Sequence, residues 1–338
     1  MKVRFCVVTV ALALLSLSTV AQADVFKMGP ELANLETVLV GNAGNVGELS
    51  GGSIPGGFGP DKICGAVDYK YHIGKYEVTT AQYTDFLNYK AKTDTYGLYD
   101  YNMWSNIYGC KIQRSGTSGD YVYSVAPDWA NRPVNYVSYW DACRFANWLH
   151  NGQGDGDTET GAYTLNGYTG YDGRWIQRNP GAKWAISSEN EWYKAAYYNK
   201  KGGKNAGYWD YATQSNELPY NSLTYPDGGN NANFNRGGYT IGSPYYLTNV
   251  GEFEKSESAY GTFDQSGNVW EWNEALVVDS GRSVRGAAFD NIYELPASVH
   301  TYVYPANNLY GVGFRVVSLK TIPGNHRSMP VQKGRYDY

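Results

Sequence analysis

Histidine and cysteine are scarce in this chain, four of each among 338 residues, and only 18% of its residues are charged. So few imidazoles leave little material for a histidine-built metal centre. His72, His150, His300 and His326 also lack the i, i+2 or i+4 spacing of local ligand pairs. Long apolar runs are missing too. The longest, from Phe5 to about Leu17, falls short of the roughly 20 residues that a membrane-spanning helix needs. A Pro-rich central linker and internal repeats are absent, which argues against a repeat protein and for one domain. Basic residues do not dominate: the formal charge is −4, which speaks against nucleic acid or anionic lipid as partners.

The apolar run is preceded by Met1-Lys2-Val3-Arg4 and closed by Ala21-Gln22-Ala23. A basic start, a short apolar core and an A-x-A exit are the parts of a secretory signal peptide. An uncleaved N-terminal anchor is the alternative. The expectation is an extracytoplasmic protein (periplasmic, cell-surface or secreted), with the mature part beginning at Asp24. Losing Lys2 and Arg4 moves the charge from −4 to −6, 26 basic against 32 acidic side chains. The mature part keeps Cys64, Cys110 and Cys143, an odd number that allows at most one internal disulfide. Cys143 lies on the apolar face of an expected helix, as a small core residue would. Cys64 and Cys110 lie in Gly-containing loops where export permits pairing, and whether they pair stays open.

Tyrosine and glycine are plentiful, 33 and 40 residues. Such a composition fits a turn-rich globular domain, neither disordered nor a helical bundle. Residues 24–60 are rich in Gly, Pro and Asn, and an extended or loosely packed segment is expected there. Alternation over Tyr69 to Val78 predicts a strand. Three helix starts follow: Thr79 with Gln82, Ser138 with Asp141, and Ser188 with Glu191, each a capping box. Ala142, Phe145, Ala146 and Leu149 mark one face of the second helix. Trp192, Ala195 and Ala196 mark the buried side of the third. Turn pairs such as Asn166-Gly167 and Asp172-Gly173 keep the strands short. The pattern predicts an irregular single α+β domain with short helices, short strands and many loops. Its layout is a signal peptide over 1–23, a Gly-rich segment over 24–66, the domain over 67–320 and a polar tail over 321–338.

Gly267-Asn268-Val269-Trp270-Glu271-Trp272 is the most specific run. Two Trp flank one Glu, and a buried carboxylate costs several kcal/mol unless it is compensated. An Arg, either Arg285 or Arg315, or a metal must face Glu271. With Ile73 to Thr79, Arg132 to Ala142, Trp184 to Trp192, Ser283 to Phe289 and Gly313-Phe314-Arg315, this run resembles the formylglycine-generating enzyme, or sulfatase-modifying factor, family. The resemblance implies a low-regularity α+β fold related to C-type lectin domains. Family enzymes hold a copper-binding, oxidising cysteine pair between the "RGG" and "GFR" segments. Here Arg285 to Phe314 contains no cysteine, and the usual Gly-Gly is Gly286-Ala287. The expectation is that no copper is bound, that no catalytic residues are present, and that the chain is a pseudoenzyme.

The resemblance implies instead a structural Ca²⁺ site formed by Asp264 and Glu271 with the carbonyls of Gly267 and Val269. A second family site would map onto Asn233 and Phe234. Asp155 to Glu159 imitates the start of a calcium loop, but its Gly and distal Glu are not at EF-hand offsets, so a solvated acidic loop is expected. Loop tyrosines such as Tyr96, Tyr99, Tyr101, Tyr163, Tyr168, Tyr171 and Tyr208 either stack on a ligand or pack their own loops. The function expected is binding, of a protein or glycan ligand, or surface structure. Two alternatives stand beside it: an oxidoreductase with a non-canonical, iron-type centre, and a self-associating subunit of an extracellular assembly that uses its terminal segments.

Overall fold

The computed structural model describes residues 35–292 and 295–319. The expected signal peptide and C-terminal tail lie outside the described residues. The three capped helices form where the capping boxes place them. Thr79, Ser138 and Ser188 each accept from the backbone N–H three residues on, and the side chains of Gln82, Asp141 and Glu191 return the bond. Each such cap contributes about 1 kcal/mol.

In chain order the first half holds β1 (Thr37–Val40), β2 (Glu48–Ser50), β3 (Lys62–Cys64), β4 (Tyr71–Gly74), α1 (Thr80–Lys90), α2 (Asn102–Ser105), β5 (Gln113–Ser115), β6 (Val122–Ser124), α3 (Pro127–Ala130) and α4 (Tyr139–His150). The second half holds β7 (Trp184–Ile186), α5 (Glu189–Tyr197), β8 (Trp270–Val278), β9 (Gly281–Arg285), β10 (Thr301–Val303), β11 (Val312–Phe314) and β12 (Val316–Ser318). Two four-stranded sheets run in the orders β1-β4-β12-β7 and β10-β9-β8-β11. Most strands are three or four residues long, as the turn density demands.

The segment over residues 24–60, expected to be extended or loosely packed, is described from residue 35 and includes the extended strand β1. β1 pairs antiparallel with β4, Val40 opposite Tyr71, so this segment edges the first sheet. Its apolar alternation is only four residues long, too short to register against the surrounding Gly and Asn. The predicted strand over 69–78 contracts to β4 because Val78 already bonds across to Phe314 and Val134.

Helix α4 lies at the centre. Its residues from Tyr139 to Leu149 are all buried, not one face only. Arg144 is tolerated there because its Nε and Nη2 donate to the two oxygens of Glu159 at 2.7 and 3.0 Å. A second, partly buried cation, Arg178, donates to both Glu191 oxygens and to Glu274. The core between these groups is aromatic, with Tyr83, Phe86, Phe145, Trp148 and Phe314 in mutual ring contact.

The segment Gly313-Phe314-Arg315-Val316 joins the two sheets. Phe314 ends β11, beside β8, and Val316 begins β12, beside β7. Arg315 therefore sits at the crossing between the sheets. No helix among the described residues is long and apolar enough to cross a membrane.

Candidate functional site

Glu271 lies on β8, where successive side chains point to opposite faces. Trp270 and Trp272 therefore do not enclose it, as the run of letters implies. Trp272 donates its indole N–H to the Val137 carbonyl at 3.0 Å. The ring beside Glu271 belongs to Trp192 of α5, whose Nε1 donates to Oε2 at 2.8 Å. Arg315 supplies the opposing charge: Nε to Oε2 at 2.5 Å and Nη2 to Oε1 at 2.7 Å, with neither side chain exposed. The remaining guanidinium N–H groups reach the carbonyls of Gly74 and Phe263. Arg285, the other cation considered for Glu271, pairs instead with Glu189 at 2.9 Å.

A buried carboxylate without a hydrogen-bond partner is Glu77, a residue not singled out from the sequence. It is buried, and neither of its oxygens receives a hydrogen bond from another residue. Burial first, then the charges of Asp264 and Glu271, push its carboxyl well above the usual range. The reasoning that singled out Glu271 applies equally to a Glu between Tyr76 and Val78. Asp264 adjoins this group. Its Oδ2 accepts the Gly251 N–H at 2.6 Å, and burial pushes its carboxyl up to about 7. Three acids thus share one Arg.

The turn around Asp264 is built from left-handed residues: Asp264, Gly267 and Asn268 have φ of 62°, 96° and 65°. Gly267 is required there, since a Cβ would stand 2.3 Å from the Asn233 carbonyl oxygen. The structure also brings the two expected sites together. Asn268 N–H donates to the Asn233 carbonyl at 2.8 Å, and Asn233 Nδ2 donates to Asn268 Oδ1 at 3.0 Å. Asn233 Oδ1 is buried with no donor, whereas the Phe234 carbonyl already accepts from Asn221 and Thr240. Val269 is fully buried beneath the turn.

Part of this donor set has the chemistry that a hard cation takes. Asp264, Glu77 and Asn233 Oδ1 are hard oxygens with capacity to spare, the kind Ca²⁺ takes. Glu271 is not, because Arg315 and Trp192 occupy it. Among the described residues no three His, Cys, Asp or Glu side chains converge as a metal cluster, so backbone carbonyls and water would have to complete any coordination.

His150 Nδ1 accepts the Lys183 N–H at 3.0 Å, and His300 is buried 3.3 Å from Glu189. His72 lies on β4, and His326 is outside the described residues. In the acidic loop, Asp157 accepts from Glu159 N–H and Thr160 N–H, closing its own turn. Cys64, Cys110 and Cys143 are free and buried. Cys64 Sγ accepts from Arg285 at 3.3 Å, while the Cys110 N–H bonds to Asn135 Oδ1. The possible Cys64–Cys110 disulfide is therefore not formed: the two thiols are held in different packing environments. Burial pushes both up to about 11.

Beside the Arg285–Phe314 interval the surface is aromatic. Tyr108 packs its ring on Tyr246, Phe289 and Tyr310 at centroid distances of 4.7, 5.5 and 5.1 Å, and Tyr239 packs on Tyr246 at 5.2 Å. Tyr239 and Tyr310 are 43% and 37% exposed, and Tyr310 Oη donates to Asp290. Asn135 Nδ2 ties the layer together by donating to the Tyr108 and Tyr310 carbonyls. Ala287 is held at φ 67° with no solvent exposure, a conformation that costs an Ala roughly 1–2 kcal/mol. Of the loop tyrosines, Tyr99 and Tyr163 are buried packing residues, whereas Tyr101 and Tyr171 stand 65% and 62% exposed.

Comparison with known proteins identifies the family and the fold. The profile of the sulfatase-modifying factor enzyme 1-like domain matches residues 58–320. Among solved structures, Treponema denticola variable protein 1 is 16% identical with a TM-score of 0.51, the match covering 88% of this chain and 99% of that one. PvdO from Pseudomonas aeruginosa is 18% identical with a TM-score of 0.47, covering 84% and 94%. No curated protein matches.

Proposed function

The chain belongs to the sulfatase-modifying factor enzyme 1-like domain family, and from that footing we propose that it is an exported, non-catalytic binding protein of that fold, braced by Ca²⁺. One observation carries this proposal. The interval from Arg285 to Phe314, where the resemblance places an oxidising thiol pair, holds no cysteine and borders a layer of tyrosines packed in edge and tilted contacts instead. Tyrosine supplies a large rigid contact area at low entropic cost. Leu309 and Ile292, 39% and 46% exposed, add apolar area beside Asp290. Such a surface holds a ligand; it has no group that takes electrons.

Ca²⁺ would be held by Asp264 with the Gly267 and Val269 carbonyls, and Glu77 is the further carboxylate with free oxygens. When bound, the cation supplies positive charge and fixes a loop. The chain's own part is to hold the Asp264–Asn268 turn in its left-handed conformation and to keep Glu271 on Arg315. The turn backs Phe289, whose N–H donates to the Asn268 carbonyl at 3.0 Å. A fixed turn therefore fixes the tyrosine layer.

Panning a displayed random-peptide library on mature residues 24–338, with a Tyr239→Ala/Tyr310→Ala variant as counter-selection, tests the contact surface. Enrichment of peptides that bind only the wild-type chain is expected. Enrichment indifferent to both substitutions, or none at all, would contradict it.

A further inference from the structure

Between α2 and β6 the fold leaves an open groove of about 430 Å³, lined by Tyr99, Tyr101, Trp104, Gln113, Arg114 and Tyr121. Its size falls in the range of roughly 300–1,000 Å³ typical of small-molecule sites. Two rings face solvent, with Tyr101 at 65% and Trp104 at 41% exposure. Two exposed aromatic faces in one concavity offer a flat apolar surface to a ligand.

The polar wall is fixed rather than mobile. Arg114 Nη1 donates to Asp94 Oδ2 at 3.0 Å, and its guanidinium lies between the rings of Tyr99 and Tyr121, 4.7 and 4.4 Å from their centroids. Asp94 is held in turn, since its Oδ1 accepts the Leu98 N–H at 2.7 Å. Asp94 already balances the Arg114 charge, so the groove does not select an anion. What it offers is flat aromatic faces beside the planar donors of Gln113 and the remaining Arg114 N–H groups. A pyranose matches both: its C–H face lies on a ring while its hydroxyls bond to amide and guanidinium groups. A peptide strand would need main-chain partners, and β5, the strand bordering the groove, has only three residues.

We propose that this groove is a carbohydrate site that takes a short neutral oligosaccharide. It is separate from the Tyr239–Tyr310 surface and does not depend on it. The test is an array of neutral cello-, malto-, xylo-, manno- and chito-oligosaccharides probed with mature residues 24–338, then calorimetric titration of any retained sugar. Trp104→Ala and Tyr101→Ala are each expected to weaken binding about tenfold or more, the scale of one lost stacking contact with its buried area. Tyr101→Ala is expected to leave Tm nearly unchanged, since its ring is 65% exposed, whereas Trp104→Ala, whose ring is 41% exposed, is expected to lower Tm slightly without unfolding the chain. Arg114→Lys keeps the charge but loses the planar donors, and is expected to weaken binding as well. Retention of no neutral sugar would overturn the proposal, as would retention insensitive to both aromatic substitutions. Binding confined to acidic oligogalacturonates or to peptides would also overturn it.

Discussion

Arg315 grips Glu271 through two parallel hydrogen bonds of 2.5 and 2.7 Å, and neither residue touches solvent. Because Arg315 also bonds to the Gly74 and Phe263 carbonyls, this one pair joins both sheets to the turn that carries Asp264.

Breaking the pair from one side leaves a buried charge alone, which costs about 3–5 kcal/mol. Glu271→Gln and Arg315→Met are each expected to lower unfolding stability by that amount in urea titration. The double substitution is expected to recover part of the loss, because neither charge then remains buried and unpaired. Single variants as stable as wild type would show that the pair is not buried in solution.

Asp264 links stability to pH and, under the proposed cation site, is expected to link it to calcium. Its carboxyl is raised from 3.8 to about 7 in the folded chain, so the folded state binds its proton more tightly than the unfolded state. Without Ca²⁺, the stability that Asp264 contributes is therefore lost as pH rises from about 4 to 7. Asp141, also raised to about 7 by burial, contributes in the same direction. Adding Ca²⁺ is expected to raise Tm at pH 7 and to flatten the Asp264 part of this slope. In Asp264→Asn the response to Ca²⁺ is expected to vanish. Thermal unfolding with Ca²⁺ and with chelator checks both, and a Tm indifferent to Ca²⁺ at pH 7 would remove the cation from the account.

Cys64, Cys110 and Cys143 are buried thiols, the first two raised to about 11. Thiolate is the reactive form, so a thiol reagent at pH 8 is expected to modify none of them in the folded mature chain and all three after denaturation. Mass analysis without reductant is expected to find no internal disulfide.

Much of this fold could be read in the sequence, and the reason is local chemistry. Thr79, Ser138 and Ser188 announce helices because a capping box is complete within four residues. Strands such as β5 and β11 stay silent, since three residues carry no periodicity. β1 was hidden for the same reason, although it edges a sheet. The charge on Glu271 was legible as a problem, and Arg315 was one of the two cations named for it, but Trp192 was hidden because nothing local joins it to Glu271. Glu77 posed the same problem in fewer letters. The Tyr108, Tyr239, Tyr246 and Tyr310 layer was invisible, because nothing local joins positions so far apart.

Oxygen uptake tests the central claim most directly. Mature residues 24–338 would be loaded with copper and offered a peptide bearing the cysteine that family oxidases act on, with the peptide's mass followed alongside. The account predicts background oxygen consumption and an unchanged cysteine, because no thiol pair stands between Arg285 and Phe314. Copper-dependent oxygen consumption with conversion of the peptide cysteine would contradict it and make this chain an oxidase.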